Sequence, residues 1–171
     1  GPGNGLIDIF CQNYLNLPFD KRGFLATQGN PIKKIIQTFL KLPFFKLPYP
    51  KSLDRLDFFD FINTQNFNKY KPEDIIATLS EMTIQSIIMS LSILPIYPKI
   101  IVIMGGGQHN NYLFNKIKLY SNCEVCSANK IGLPGDFIEA ELMAYLAVRK
   151  IKNLPITFPD TTGVKKACVG G

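Results

Sequence analysis

The chain has 171 residues, 46% hydrophobic and 19% charged, with no Trp and a net charge of +6. That composition is globular and long enough for one domain with a sizeable core, which excludes a disordered or fibrous chain. The lysines come as scattered pairs and singles, such as Lys33-Lys34, Lys69, Lys71 and Lys165-Lys166, rather than as a stripe with interleaved aromatics. The positive charge therefore reads as a solvated surface and not as a nucleic-acid interface.

Gly1 to Asn4 read as a turn, with Asn4 capping a helix that carries Leu6, Ile9, Phe10 and Tyr14 to about Leu15. The chain opens without Met and without a signal-type segment, which reads as a piece of something longer. Leu17 to Gly23 form a loop, and an amphipathic helix is expected around Ile32 to Leu40, after Pro31 and before Pro43. Residues 43–53 are a proline-rich aromatic connector, 54–62 a short helix or packed irregular segment, and 63–70 a polar loop. Pro72-Glu73-Asp74 places Pro and two acids in the first turn of a helix that runs to about Leu94. That helix is apolar on more than one side, which makes it central. The apolar window from Ile87 to Met104 is broken by Pro95, Pro98 and Lys99, so no membrane span is expected there.

Ile100 to Met104 then read as a buried strand, Gly105-Gly106-Gly107 as a turn, and Asn110 as the start of a helix to about Tyr120. Residues 123–127 form a second short strand, Asn129 to Pro134 a loop, and Asp136 opens a last helix to about Ile151. A tail rich in Pro and Gly crosses the surface from Asn153. Strands alternating with helices predict a parallel pair in an α/β fold. Two strands are too few for an independent sheet, and the apolar first strand asks for neighbours on both sides. Cys123 and Cys126 form a C-x-x-C on the second strand, where residues three apart point to opposite faces. With His109 as the one histidine, no zinc set is assembled, and ordinary buried thiols in a reducing compartment are expected.

Several stretches could carry chemistry. Glycines at the carboxyl end of a strand let a ligand approach the backbone, so Gly105 to Gly107 suggest a nucleotide-type site. Asn110 either caps the following helix or contacts that ligand. Asp136 and Glu139 have the spacing of a capping box, and Glu139 could instead hold substrate hydroxyls. Gly1-Pro2-Gly3-Asn4 is either a plain turn or a seat for an anion or sugar. Lys51-Ser52-x-x-Arg55 is either a surface loop or a phosphate contact. His109 has no partner evident in the sequence.

Ordered blocks along nearly the whole chain resemble the anhydro-N-acetylmuramic acid kinase family, of the sugar kinase, heat-shock ATPase and actin superfamily. They are Gly1-Pro2-Gly3-Asn4 with Leu6 and Asp8, Phe19-Asp20-Lys21-x-Gly23 with Ala26 and Gly29, and Phe44-Phe45 with Pro50-Lys51-Ser52. Further along come Asp74-x-x-Ala77-Thr78-Leu79-x-Glu81-x-Thr83, Gly105-Gly106-Gly107-x-x-Asn110, Gly132-x-Pro134 with Glu139-Ala140, and Asn153-Leu154-Pro155. The resemblance implies the C-terminal part of an actin-like, ribonuclease H-like ATPase domain, helix-rich with an incomplete sheet. Residues 1–171 would be a single partial domain, with a helical insertion at about 17–70. Gly105, Gly106, Gly107 and Asn110 would bind nucleotide, and Gly1, Gly3, Asn4 and Glu139 would bind substrate.

The activity so implied splits 1,6-anhydro-N-acetylmuramic acid with water and phosphorylates it from ATP with Mg²⁺, giving N-acetylmuramic acid 6-phosphate for cell-wall recycling in the bacterial cytoplasm. The family's catalytic Asp stands two residues before its Gly-Pro-Gly-Asn, and its phosphate loop lies further upstream. No catalytic residue and no metal ligand is therefore expected within this chain, which should be inactive alone. The block at Lys51 reads Lys-Ser-Leu-Asp-Arg, without the family's Thr and Gly, and Asn129 stands where the family has an acid. A separate N-terminal half and a second copy are the expected protein partners. A non-catalytic remnant that binds nucleotide or a partner is the other reading.

Overall fold

The computed structural model describes residues 1–51 and 53–170, the side chains of 55 and 56 excepted. Its axis is α6 (Pro72–Ser92), which starts as the sequence predicts, with Pro72 in the first turn and Glu73 and Asp74 at the positive end of the helix dipole. Every residue from Ile75 to Ile84 is buried, because helices pack around it on several sides. It is also the one helix among the described residues long and apolar enough to cross a membrane, but it lies in the protein core.

Small polar side chains let α6 grip the rest of the chain. The Thr83 hydroxyl donates to the Gly3 carbonyl at 2.7 Å, which docks the N-terminal turn. The Thr78 hydroxyl accepts from the Ile32 N–H at 2.8 Å, and Asp74 accepts from the Asn30 N–H at 2.7 Å. Those two bonds fix the chain just before α3 against α6. α1 (Gly5–Phe10) follows the turn and continues through one wider π-type turn to Leu15. α2 (Phe24–Gln28), absent from the sequence reading, and α3 (Lys33–Phe39) pack on α6. The proline-rich connector contains a short α4 (Pro43–Lys46), and α5 (Arg55–Asn63) closes an aromatic cluster in which Phe39 meets Phe45, Phe58 and Phe61. Burial of these rings extends the common core around α6.

β1 (Ile100–Ile103) and β2 (Glu124–Ser127) pair in parallel, Ile101 opposite Val125 and Val102 opposite Cys126. α7 (Asn111–Tyr120) crosses between them, and its buried Leu113 and Ile117 join the common core. The sheet is partial, as expected, but β1 is not the buried strand its apolar run predicts: Ile100 is exposed and the next three residues are only half-buried, because β2 is its one partner strand among the described residues. α8 (Ile138–Ile151) begins two residues later than the sequence suggests and has no buried residue. Leu142, Met143, Tyr145, Val148 and Ile151 along it all face solvent. The tail folds back around α9 (Pro159–Thr162), where Thr157 and Cys168 form an antiparallel bridge.

Candidate functional site

Three blocks distant in sequence meet at the carboxyl end of β1. After Met104 the three glycines enter a tight 3₁₀ turn from Gly105 to His109. Asn110 accepts from the Leu113 N–H at 3.1 Å, so it caps α7 as its type predicts. Opposite that cap stands Gly23, with φ +71°, where an added Cβ would lie 2.3 Å from the Asn110 carboxamide oxygen. Only glycine combines that conformation with that approach, so the Phe19–Gly23 loop is locked against the start of α7. The third block is the N-terminal turn, whose Asn4 carboxamide nitrogen lies beside Gly106.

Between them is a cleft of about 370 Å³, lined by Asn4 and Asp8, by Phe19 to Arg22, and by Gly106, His109 and Asn110. Asn4 does not cap α1, contrary to the sequence reading; its carboxamide oxygen is buried and without a partner among the described residues. Asp20 is buried with its carboxylate satisfied, accepting from the Leu25 N–H at 2.9 Å and the Ala26 N–H at 3.1 Å. Asp8 is half-buried beside it, and burial first, then the Asp20 charge, raise the Asp8 pKa above the ordinary carboxylate value. Lys21 and Arg22 add two exposed cations.

A clasp joins the glycine turn to the loop before α8. The Gly105 N–H donates to the Gly135 carbonyl at 2.8 Å. Asp136 takes His109 Nε2 at 2.6 Å and the Gln108 side-chain amide at 2.8 Å on the same oxygen. These contacts, His109 foremost and then Gln108, lower the Asp136 pKa. The predicted capping box is therefore corrected. α8 has no side-chain cap, because Asp136 is turned toward His109 and away from the helix start. His109 in turn gains the partner that the sequence did not reveal. Gly135 is packed so closely on the Gln108 side chain that an added Cβ would sit 2.5 Å away.

Of the residues singled out in the sequence, the structure gathers Asn4, Gly106 and Asn110 in one cleft. Gly105 and Gly107 complete the turn behind them. Gly3 is spent on the bond to Thr83, and Gly1 is pressed on Ser86 and borders a separate groove with Tyr49 and Lys51. Glu139 stands exposed in the first turn of α8, beyond the clasp. Lys51 is committed elsewhere: its ammonium donates to the carbonyls of Phe44, Phe45 and Leu47 at 3.0, 3.3 and 3.1 Å, closing the end of α4. It is not free for phosphate, while Ser52 and the Arg55 side chain lie outside the described residues. Sequence reasoning assigned no role to Asp8, Phe19 or Lys21, although their blocks were visible. Among the described residues no three acids, histidines or cysteines gather as a metal site.

A cleft at the strand end of a parallel β–α–β unit, walled by a glycine turn, stands where α/β proteins commonly take a ligand. The family model described as anhydro-N-acetylmuramic acid kinase matches residues 1–171. A protein of that name from Ruegeria sp. (strain TM1040) is 37% identical over 171 residues, covering all of this chain and 45% of the relative. Relatives of the same name from Caulobacter vibrioides and Hydrogenovibrio crunogenus are 38% and 33% identical, again over the whole chain and over 45% and 48% of their own lengths. The chain belongs to the anhydro-N-acetylmuramic acid kinase family, and spans a little under half the length of these relatives.

Proposed function

We propose that this chain is the nucleotide-side part of an ATP-dependent kinase for 1,6-anhydro-N-acetylmuramic acid in the bacterial cytoplasm. Water adds across the anhydro bond, the oxygen released at C6 takes the γ-phosphoryl group, and ADP leaves with N-acetylmuramic acid 6-phosphate. The observation that carries this reading is the single cleft into which Asn4, Gly106 and Asn110 converge from separate sequence blocks. A backbone turn without side chains at Gly105 to Gly107 suits close approach of a nucleotide. Glu139, joined to that turn through the Asp136 clasp, suits the sugar side.

Phosphoryl transfer works by positioning and by neutralising charge. By resemblance, the general base and the phosphate loop come from the other part of the kinase. Mg²⁺ would arrive held chiefly by the nucleotide phosphates, as this ion commonly does. The exposed apolar face of α8 and the free side of β1 are where that other part would pack. The full-length gene product, assayed for ATP-dependent phosphorylation of the anhydro sugar, should form the 6-phosphate. If this chain supplied with the missing part yields no phosphorylated sugar, the kinase reading falls and a non-catalytic binding remnant takes its place.

A further inference from the structure

The cleft holds two neighbouring acids in different states. Both oxygens of Asp20 are used by backbone N–H groups. Asp8, on the first turn of α1, lines the same cleft, and its carboxylate has no hydrogen-bond partner among the described residues. Burial and then the Asp20 charge raise its proton affinity, and both its oxygens are open to a ligand's donors. A divalent cation is a poor answer, because it asks for several oxygen ligands and no such group is assembled here. Two adjacent neutral hydroxyls are a good one, since each carboxylate oxygen can accept one of them. Phe19, which lines the same cleft, is 51% exposed and its ring makes no aromatic contact among the described residues. Lys21 and Arg22 follow it directly, so the cleft is acidic at one place and cationic at another.

We propose that this cleft selects a ribonucleotide, the Asp8 carboxylate accepting hydrogen bonds from the vicinal ribose hydroxyls and the Phe19 ring stacking on the base. The inference rests on the nucleotide reading above and adds how the nucleoside is recognised. The cations of Lys21 and Arg22 suit the phosphate charge, and the acid suits the uncharged diol.

The test uses calorimetric titration of the full-length gene product with ATP and with 2′-deoxyATP. The unaltered protein should bind ATP about tenfold more tightly than the deoxy analogue, a typical discrimination for one charge-assisted hydrogen bond. Asp8→Ala should weaken ATP by about a hundredfold, since both hydroxyl bonds are lost, and 2′-deoxyATP by about tenfold, since only its 3′ bond is lost, so that the discrimination disappears. Phe19→Leu should weaken both nucleotides alike, because stacking is blind to the 2′-hydroxyl. If Asp8→Ala misfolds by circular dichroism, Asp8→Asn keeps the size of the side chain and should still narrow the ratio. An unchanged ATP to deoxyATP ratio in a folded Asp8 variant overturns this assignment and leaves the nucleotide reading standing. Absence of ATP binding by the unaltered protein overturns both.

Discussion

α6 and α8 are similar in sequence character and opposite in fate. Each is a long run of apolar and small residues opened by acids in its first turn. α6 buries every residue from Ile75 to Ile84, while α8 buries none. The difference lies in the neighbours. α6 is covered by α1, α2, α3 and α7, all supplied by this chain. α8 follows a two-stranded sheet that is too narrow to cover it. Hydrophobic pattern encodes a demand for burial, and whether the demand is met depends on chain that a helix does not itself contain.

The largest expected effect breaks this comparison directly. Met82 on α6 is fully buried and Met143 on α8 is 57% exposed. In urea denaturation of the chain, Met82→Ala should cost about 2–5 kcal/mol, from lost apolar burial and the cavity left behind. Met143→Ala should stay within about 0.5 kcal/mol, as exposed substitutions do. Together with the proposed remainder of the kinase, the Met143→Ala cost should exceed about 1 kcal/mol if that part covers α8. A cost that remains near zero there would show α8 facing solvent in the complete protein as well.

A smaller effect probes the polar side of α6. The Thr83 hydroxyl is the bond that holds the Gly3 carbonyl and so the turn that carries Asn4 into the cleft. Thr83→Val keeps the shape and removes the donor, leaving a carbonyl unpaired beside a buried helix. The expected loss is about 1–3 kcal/mol of stability. Hydrogen exchange at Asn4 and Gly5 should rise in step, and unchanged exchange would mean that the turn is held by packing alone.

What the sequence disclosed follows the same division. α6, both strands and α7 were legible because their signals are local: Pro72 with two acids, an apolar run ending in glycines, and a capping Asn110. α2 was not, because its Asp20 cap acts from outside the helix, over five and six residues, and Gly23 interrupts the pattern. Within the site, Gly106 and Asn110 could be marked by type and position. The Asp136 clasp could not, since Asp136 and Glu139 fit a capping box equally well, and only tertiary placement turned Asp136 to His109, 27 residues away. Asp8 carried no signal of its own, because what singles it out is Asp20, brought beside it by the neighbouring loop.

The smallest expected effect separates those two carboxylates by sign. Asp136 has a folded pKa below its unfolded value, so its contribution is present above the unfolded pKa and is lost as pH falls through the folded one. Asp8 has a folded pKa above its unfolded value, so its contribution is present below the unfolded pKa and is lost as pH rises through the folded one. One acid therefore favours the fold at neutral pH and the other opposes it. Because Asp136 lies at the surface, the clasp should be read at the group itself and not through global stability. Carboxyl carbon NMR titration of the chain should show the Asp136 midpoint below the ordinary range and the Asp8 midpoint above it. His109→Ala removes the first cause of the Asp136 shift and should move that midpoint upward, with the Asp8 midpoint unmoved because burial and Asp20 set it. A joint movement of both would mean that His109 acts on the whole cleft. An unmoved Asp136 would mean that the glycine turn and the loop before α8 are joined by the Gly105–Gly135 backbone bond without help from the side chains.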